Sequence, residues 1–86
     1  MEGVIVGTVR SGEVPVAFAR VMVESAPGPM PDIALLSGPD GRFAVDTPYR
    51  GRYVLVVYAD EHRPARIGVD VPDPGRSTET VVELPP

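Results

Sequence analysis

Apolar and polar residues alternate along this chain in short runs, and glycine, proline and aspartate interrupt the runs about every ten residues. Side chains on a β-strand repeat every two positions, so this spacing predicts strands and does not fit the three-to-four spacing of a helix. Valine, a β-branched residue that favours strands, dominates the runs. We predict seven strands, at residues 3–10, 19–24, 33–37, 42–46, 52–59, 65–71 and 79–84.

The same alternation assigns each strand an inward face, because a sheet that packs on a core buries every second residue. The residues predicted to point inward are Ile5, Val9, Val21, Val23, Phe43, Val45, Tyr53, Leu55, Val57, Ile67, Val69, Val71, Val82 and Leu84. Regularly spaced strands with this patterning are typical of a β-sandwich or barrel.

Two glycines have predicted structural roles. Gly7 lies inside the first strand, where the absence of a side chain lets another backbone or a bulky ring approach closely. Gly41 ends the sequence Gly38-Pro39-Asp40-Gly41. There proline presets φ, Asp40 bonds locally to the backbone and Gly41 accepts a positive φ, which predicts a tight turn.

Size and composition describe one small domain that covers residues 1–86. The chain has no cysteine, so a disulfide framework and a thiolate metal site are excluded and packing alone must hold the fold. Eleven prolines and nine glycines predict many turns and no long helix.

The formal net charge is −4, and arginine supplies every strong base because lysine is absent. Affinity for nucleic acid depends on neutralising phosphates, so we expect no nucleic-acid partner. The first residues do not resemble a signal peptide and no run is long enough to span a membrane. We therefore expect no membrane partner, and a cytoplasmic location if the chain is a complete protein. Arginine without lysine, together with abundant Ala, Gly, Pro and Val, is typical of a GC-rich bacterial genome.

The order of several short motifs resembles a known family. The motifs are Ile5-x-Gly7-x-Val9, Pro15-Val16-Ala17-x-Ala19-Arg20-Val21-x-Val23, Ser37-x-x-Asp40-Gly41-Arg42-Phe43, Gly51-x-Tyr53-x-Leu55-x-Val57 and Val82-x-Leu84. Together they resemble the carboxypeptidase regulatory-like domain. The resemblance implies a seven-stranded antiparallel Greek-key β-sandwich of the transthyretin (prealbumin) type. It also implies an accessory, non-enzymatic role, because the shared residues serve folding.

The chain departs from that family at two places. One is the long proline-rich loop that contains Pro27-Gly28-Pro29-Met30-Pro31, which fits either a stiff surface loop or a polyproline ligand without basic flanks. The other is Asp60-Glu61-His62, where the family usually has a glycine-aromatic pair.

The sequence offers little for catalysis or metal binding. His62 is the only histidine, and its adjacent carboxylates point in other directions, so a solvated loop is the preferred interpretation over a base or metal ligand. Asp40 fits a turn better than a calcium site, which needs six to eight oxygens. Related sandwich enzymes that hydrolyse hydroxyisourate use several histidines and a C-terminal tetrapeptide that this chain lacks. We predict no catalytic residue, no metal and no cofactor.

Apolar residues on the outward faces are the most informative anomaly. If the family's sheet order holds, the strands at 19–24 and 52–59 are neighbours, which groups Met22, Val54, Val56 and Tyr58 on one surface. A second group would form from Val4, Val6 and Val81. Exposed apolar patches often mark protein–protein interfaces, although scattered exposed valines are also ordinary.

We therefore expect a non-catalytic structural or interaction module that acts through a sheet face or an edge strand. Its partner would be another protein or domain, or a second copy of the chain. The alternative is a β-sandwich that binds a small ligand of the carbohydrate type. Sugars usually stack on exposed aromatic rings, and we expect only Tyr49 and Tyr58 to be exposed aromatics here.

Overall fold

The computed structural model describes residues 3–30 and 34–85, which form eight β-strands and no helix. The strands are β1 (Val4–Ser11), β2 (Val14–Pro15), β3 (Arg20–Ser25), β4 (Ala34–Leu36), β5 (Arg42–Asp46), β6 (Gly51–Tyr58), β7 (Ala65–Val71) and β8 (Thr78–Glu83). Each of the seven predicted strands is present with its ends within one residue of the prediction, except that Ile33, the predicted start of the third, lies outside the described residues.

The strands form two four-stranded sheets that pack face to face. In the first sheet β1 is central. β8 pairs with one side of β1, and β5 and then β2 pair with successive parts of its other side. The second sheet has the order β4-β3-β6-β7, and all its pairs are antiparallel. A bulge in β3 between Val23 and Ser25 shifts its register against β6.

Two features of the first sheet differ from the expected seven-stranded antiparallel arrangement. The additional strand, β2, has only two residues and includes Pro15, which sequence reasoning assigns to a loop but which a short edge strand tolerates. The second difference is that β8 runs parallel to β1. The chain crosses between the sheets after β7, and the Gly3 N–H donates to the Pro74 carbonyl (2.6 Å), so β8 starts beside the beginning of β1.

One hydrophobic core fills the space between the sheets. All of the residues predicted to point inward are buried or pack against it, with Val23 and Ile67 only partly buried. The two-residue alternation of apolar and polar positions therefore predicted the inward faces correctly. Ala19, which precedes β3, is a buried core residue that the prediction did not include.

Gly7 and Phe43 show how closely the core is packed. They are opposite each other on β1 and β5, and the Phe43 ring lies directly over Gly7. A Cβ atom at position 7 would overlap the Cζ and Cε1 atoms of that ring. The predicted role of Gly7, close approach by a ring, is confirmed.

Turns are fixed by hydrogen bonds to a few side chains. The buried Tyr53 hydroxyl accepts the Tyr49 N–H (2.9 Å) and donates to the Tyr49 carbonyl (2.8 Å), which holds the β5–β6 turn against the core. In the predicted turn, Asp40 Oδ1 accepts the Arg42 N–H (3.1 Å) and Gly41 has a φ of 80°. This confirms that Asp40 serves a turn.

The proline-rich loop is anchored by its own contacts. The Tyr49 hydroxyl donates to the Pro29 carbonyl (2.7 Å), and the Tyr49 ring lies so close to Gly28 that a Cβ there would be 2.9 Å from it. Pro27 packs in the same way against Gly51. These contacts agree with the interpretation of the described part of the loop as a stiff surface loop. Pro31 lies outside the described residues.

We expect Gly7→Ala to destabilise the fold by about 1–3 kcal/mol, because the added methyl forces Phe43 and the facing sheet to move. Urea unfolding followed by circular dichroism measures this change. Gly68→Ala is the matched control within a strand, since a Cβ at position 68 meets only the mobile guanidinium of Arg52. The control should lose no stability, and equal losses in the two variants would contradict this account of Gly7.

Candidate functional site

The outward side of the second sheet carries a group of apolar side chains. Met22 on β3 lies directly opposite Val56 on β6, while Val54 and Tyr58 flank Val56 along β6. Met22 is 43% exposed and Tyr58 38%, and the two valines are half-buried. The sheet order thus brings together the first group of residues predicted from the sequence.

Strand β4 enlarges this surface. Ala34 pairs with Met22 and Leu36 pairs with Arg20, and both side chains point outward because Leu35 between them packs against the core. Leu36 is 60% exposed. Sequence reasoning missed these two residues, since the Ala-Leu-Leu of β4 does not alternate with polar residues and so does not reveal its faces. We call the six residues Met22, Ala34, Leu36, Val54, Val56 and Tyr58 the outer apolar face.

Ion pairs surround and cross the outer apolar face. Arg66 Nε on β7 lies 2.6 Å from Glu24 Oε2 on β3. These strands flank β6, so the pair crosses β6 near Val54 and Val56 and leaves both valines half-buried. Arg52 and Asp70 pair at 3.1 Å along one side, and a longer pair joins Arg20 to Asp60 at the Tyr58 end. All six charged side chains are largely solvent-exposed, so the pairs add little stability and can be displaced by a partner.

The opposite sheet has a shallow depression of about 340 Å³ on its outward side. Its lining residues are Val6, Thr8, Arg42, Glu79, Thr80 and Val81. Val6 and Val81 belong to the second predicted group. The register pairs Val6 with Glu79 and Val81 with Thr8, so these valines are not direct neighbours, and Val4 does not line the depression. The second group is therefore a mixed polar surface and not an apolar patch.

Phe18 is an exposed aromatic residue that sequence reasoning did not identify. Its side chain is 61% exposed and its φ is 56°, a left-handed conformation that is unfavourable for a bulky residue. The neighbouring Ser37 Oγ holds this turn by accepting the Ala19 N–H (2.9 Å) and donating to the Val16 carbonyl (3.1 Å). Tyr49, in contrast, is half-buried against the proline-rich loop, which corrects the expectation that it is exposed.

The residues considered for chemistry are placed apart from one another. His62 lies in the β6–β7 loop with its Nδ1 atom 3.2 Å from the Pro85 carbonyl oxygen, so it contacts the C-terminal segment. Within residues 3–30 and 34–85, no three histidine or acidic side chains are grouped closely enough to hold a metal ion. The described part of the chain also contains no helix that could cross a membrane.

No protein-family model matches the chain, and no curated protein does either. The fold is similar to the crystal structure of a DUF3823 family protein from Parabacteroides merdae ATCC 43184, with a TM-score of 0.64 and 17% sequence identity. The similarity covers 99% of this chain and 46% of that protein, so the chain spans about half of its length. At this identity the likeness establishes an all-β fold and nothing about activity.

Substitutions at Phe18 separate the role of its ring from that of its backbone. Since glycine accepts a positive φ and alanine does not, we expect Phe18→Gly to be more stable than Phe18→Ala by about 1 kcal/mol, the reverse of the usual order within strands and helices. Thermal unfolding of the two variants checks this. An alanine variant as stable as the glycine variant would show that the backbone at position 18 is not strained.

Proposed function

We propose that this chain is a non-catalytic interaction module that binds another protein or domain through the outer apolar face. One observation carries the proposal: three of the six exposed large apolar residues in the described part of the chain share this one surface with the half-buried Val54 and Val56. The three are Met22, Leu36 and Tyr58. Contact between water and such a surface costs free energy, and a partner that buries the surface removes this cost.

The surrounding charges suit a reversible interface. Protein–protein interfaces commonly have an apolar centre with a polar rim, and Arg20, Arg52 and Arg66 provide the cationic part of this rim. Each arginine already has an acidic neighbour, so the positive and negative charges of the rim are balanced. The rim therefore does not select for a strongly acidic or basic partner. Contacts at the centre, around Met22 and Val56, would supply most of the binding free energy.

We also propose that the sandwich is of the Greek-key prealbumin type found in carboxypeptidase regulatory-like domains. The adjacency of β3 and β6, and of β1 and β8, agrees with the neighbours that this resemblance implies. An accessory role fits a chain that spans about half of a longer protein with a similar fold.

A second candidate function is the binding of a small ligand in the depression on the first sheet. Its volume of about 340 Å³ and its mixture of hydroxyl, charged and methyl groups could hold a sugar-sized molecule. None of its lining residues is aromatic, so a sugar would have no ring to stack on, and we prefer the first candidate. Titration with a panel of simple sugars, followed by NMR shifts of Thr8 and Arg42, tests the second; no shift at millimolar ligand would reject it.

The test of the first candidate places a photo-crosslinking amino acid at Met22 and, as a control on the opposite sheet, at Glu83. We expect the probe at position 22 to capture a protein from cells of the source organism that the probe at position 83 does not. That protein is then purified, and its affinity for the unmodified domain is measured by calorimetry.

Val56→Glu and Tyr58→Arg should each weaken this binding at least about tenfold, because each puts a charge, which is costly to remove from water, into the apolar interface. Val56→Thr, which keeps the shape of the side chain, is the matched control and should bind with a smaller loss. Circular dichroism confirms that every variant is folded. Unchanged affinity in both charged variants would refute the role of the outer apolar face.

A further inference from the structure

The outer edge of β7 is open. β7 pairs with β6 along Ala65–Val71, and no backbone hydrogen bond joins its other side to any residue in 3–30 or 34–85. Proteins protect such edges with charged side chains, above all lysine, or with proline or a bulge. β7 has no lysine, proline or bulge, and its two charged residues, Arg66 and Asp70, are opposite in sign. A row of free N–H and C=O groups can pair with another strand.

The sequence of β7 is complementary to itself when it is read in the antiparallel direction. Its outward residues are Arg66, Gly68 and Asp70, so a two-fold axis at Gly68 places Arg66 of each copy opposite Asp70 of the other. On the inward side, the same register places Ile67 opposite Val69. Opposite charges and matched apolar side chains across a strand pair are both stabilising.

Strand β5 provides an internal comparison, because it repeats this pattern as Arg42, Ala44 and Asp46 on its outward side. The other edge of β5 is partly covered by the rest of the chain, however. The Arg42 carbonyl accepts the Gly38 N–H (2.8 Å), and Met30 and Leu35 line a cavity of about 100 Å³ against the later residues of the strand.

Burial differs between the two strands only at the beginning of β7. The inward residues of β5, Phe43 and Val45, are only 5% and 4% exposed. Val69 and Val71 of β7 are equally buried, at 6% and 1% exposed, and Ile67 is partly buried.

We propose that β7 pairs with β7 of a second copy of this chain, antiparallel about Gly68. The second sheets of the two copies then form one continuous eight-stranded sheet. The pairing joins two copies through seven-residue strands, so it forms a reversible dimer and not an obligate one. It leaves the outer apolar face of each copy free and places the two faces side by side. The proposal rests on the edge of β7 and not on the outer apolar face, although Arg66 and Asp70 also belong to the ion pairs around that face.

A cysteine at the two-fold position tests the geometry directly. Opposite residues of an antiparallel pair have Cα atoms about 4.5–5.5 Å apart, within the range for a disulfide. Gly68→Cys should therefore form a disulfide-linked dimer under mild oxidation. Any disulfide must join two chains, since the protein has no cysteine of its own. Only the mobile end of Arg52 has to move to admit the new side chain.

Ala44→Cys is the matched control, since Ala44 is the exposed centre of the same pattern on β5. We expect Gly68→Cys to crosslink at least about tenfold faster than this control, as judged by non-reducing electrophoresis, because pairing raises the effective concentration of the two thiols. Equal rates, or faster crosslinking of Ala44→Cys, would overturn the pairing through β7.

Charge reversal tests the register. Arg66→Asp and Asp70→Arg each place like charges opposite one another at both ends of the pair, and each should weaken the dimer roughly tenfold or more in sedimentation equilibrium. An equimolar mixture of the two variants should dimerise again, because one strand is then acidic and the other basic. Arg42→Asp on β5 is the control and should leave the association unchanged.

Three results would contradict the proposal: a monomeric parent protein at millimolar concentration, dimers that survive both single reversals, or a mixture that does not associate. Tyr58→Arg separates the dimer from the binding function proposed above, because the register of β6 with β7 ends before Tyr58. It should leave the β7 dimer intact, and a loss of dimer in that variant would assign self-association to the outer apolar face instead.

Discussion

The first sheet depends entirely on hydrogen bonding to β1. Among the residues that the structure describes, β2, β5 and β8 pair with β1 and not with one another, so no second pairing would hold the sheet if β1 were displaced. The inward residues of β1, Ile5 and Val9, are fully buried, and Gly7 between them admits the ring of Phe43. This strand therefore combines the backbone bonding of one sheet with the closest packing of the core. A domain without a disulfide has to concentrate its stability in this way.

The sequence was a good guide where one simple physical rule applied. Alternation located seven strands and the inward residues, and turn chemistry located Asp40 and Gly41. It failed where the outcome depended on tertiary contacts. β2 was not predicted because it contains Pro15. The parallel direction of β8 depends on the crossing near Gly3. The burial of Tyr49 depends on a loop that folds back from earlier in the chain.

The candidate surface was predictable in part for the same reason. Met22, Val54, Val56 and Tyr58 were grouped correctly because their strands alternate and the order of the strands was anticipated. Leu36 was missed because it lies on a three-residue strand without alternation. Phe18 was missed because its exposure depends on a turn that the distant Ser37 side chain holds. The features that sequence reasoning missed thus lie on outward faces and edges, where the rules of core formation constrain the residues least.

The parallel pairing of β1 and β8 has a mechanical consequence. The chain enters the fold at the start of β1 and reaches Pro85 after the end of β8, so Gly3 and Pro85 lie at opposite ends of two strands that run side by side. Tension applied at these two residues would slide the strands past each other. All the hydrogen bonds of their six-residue register would then carry the load together and would not open one at a time. A pull between Gly3 and Pro85 therefore meets more resistance than a pull that opens the same bonds one after another.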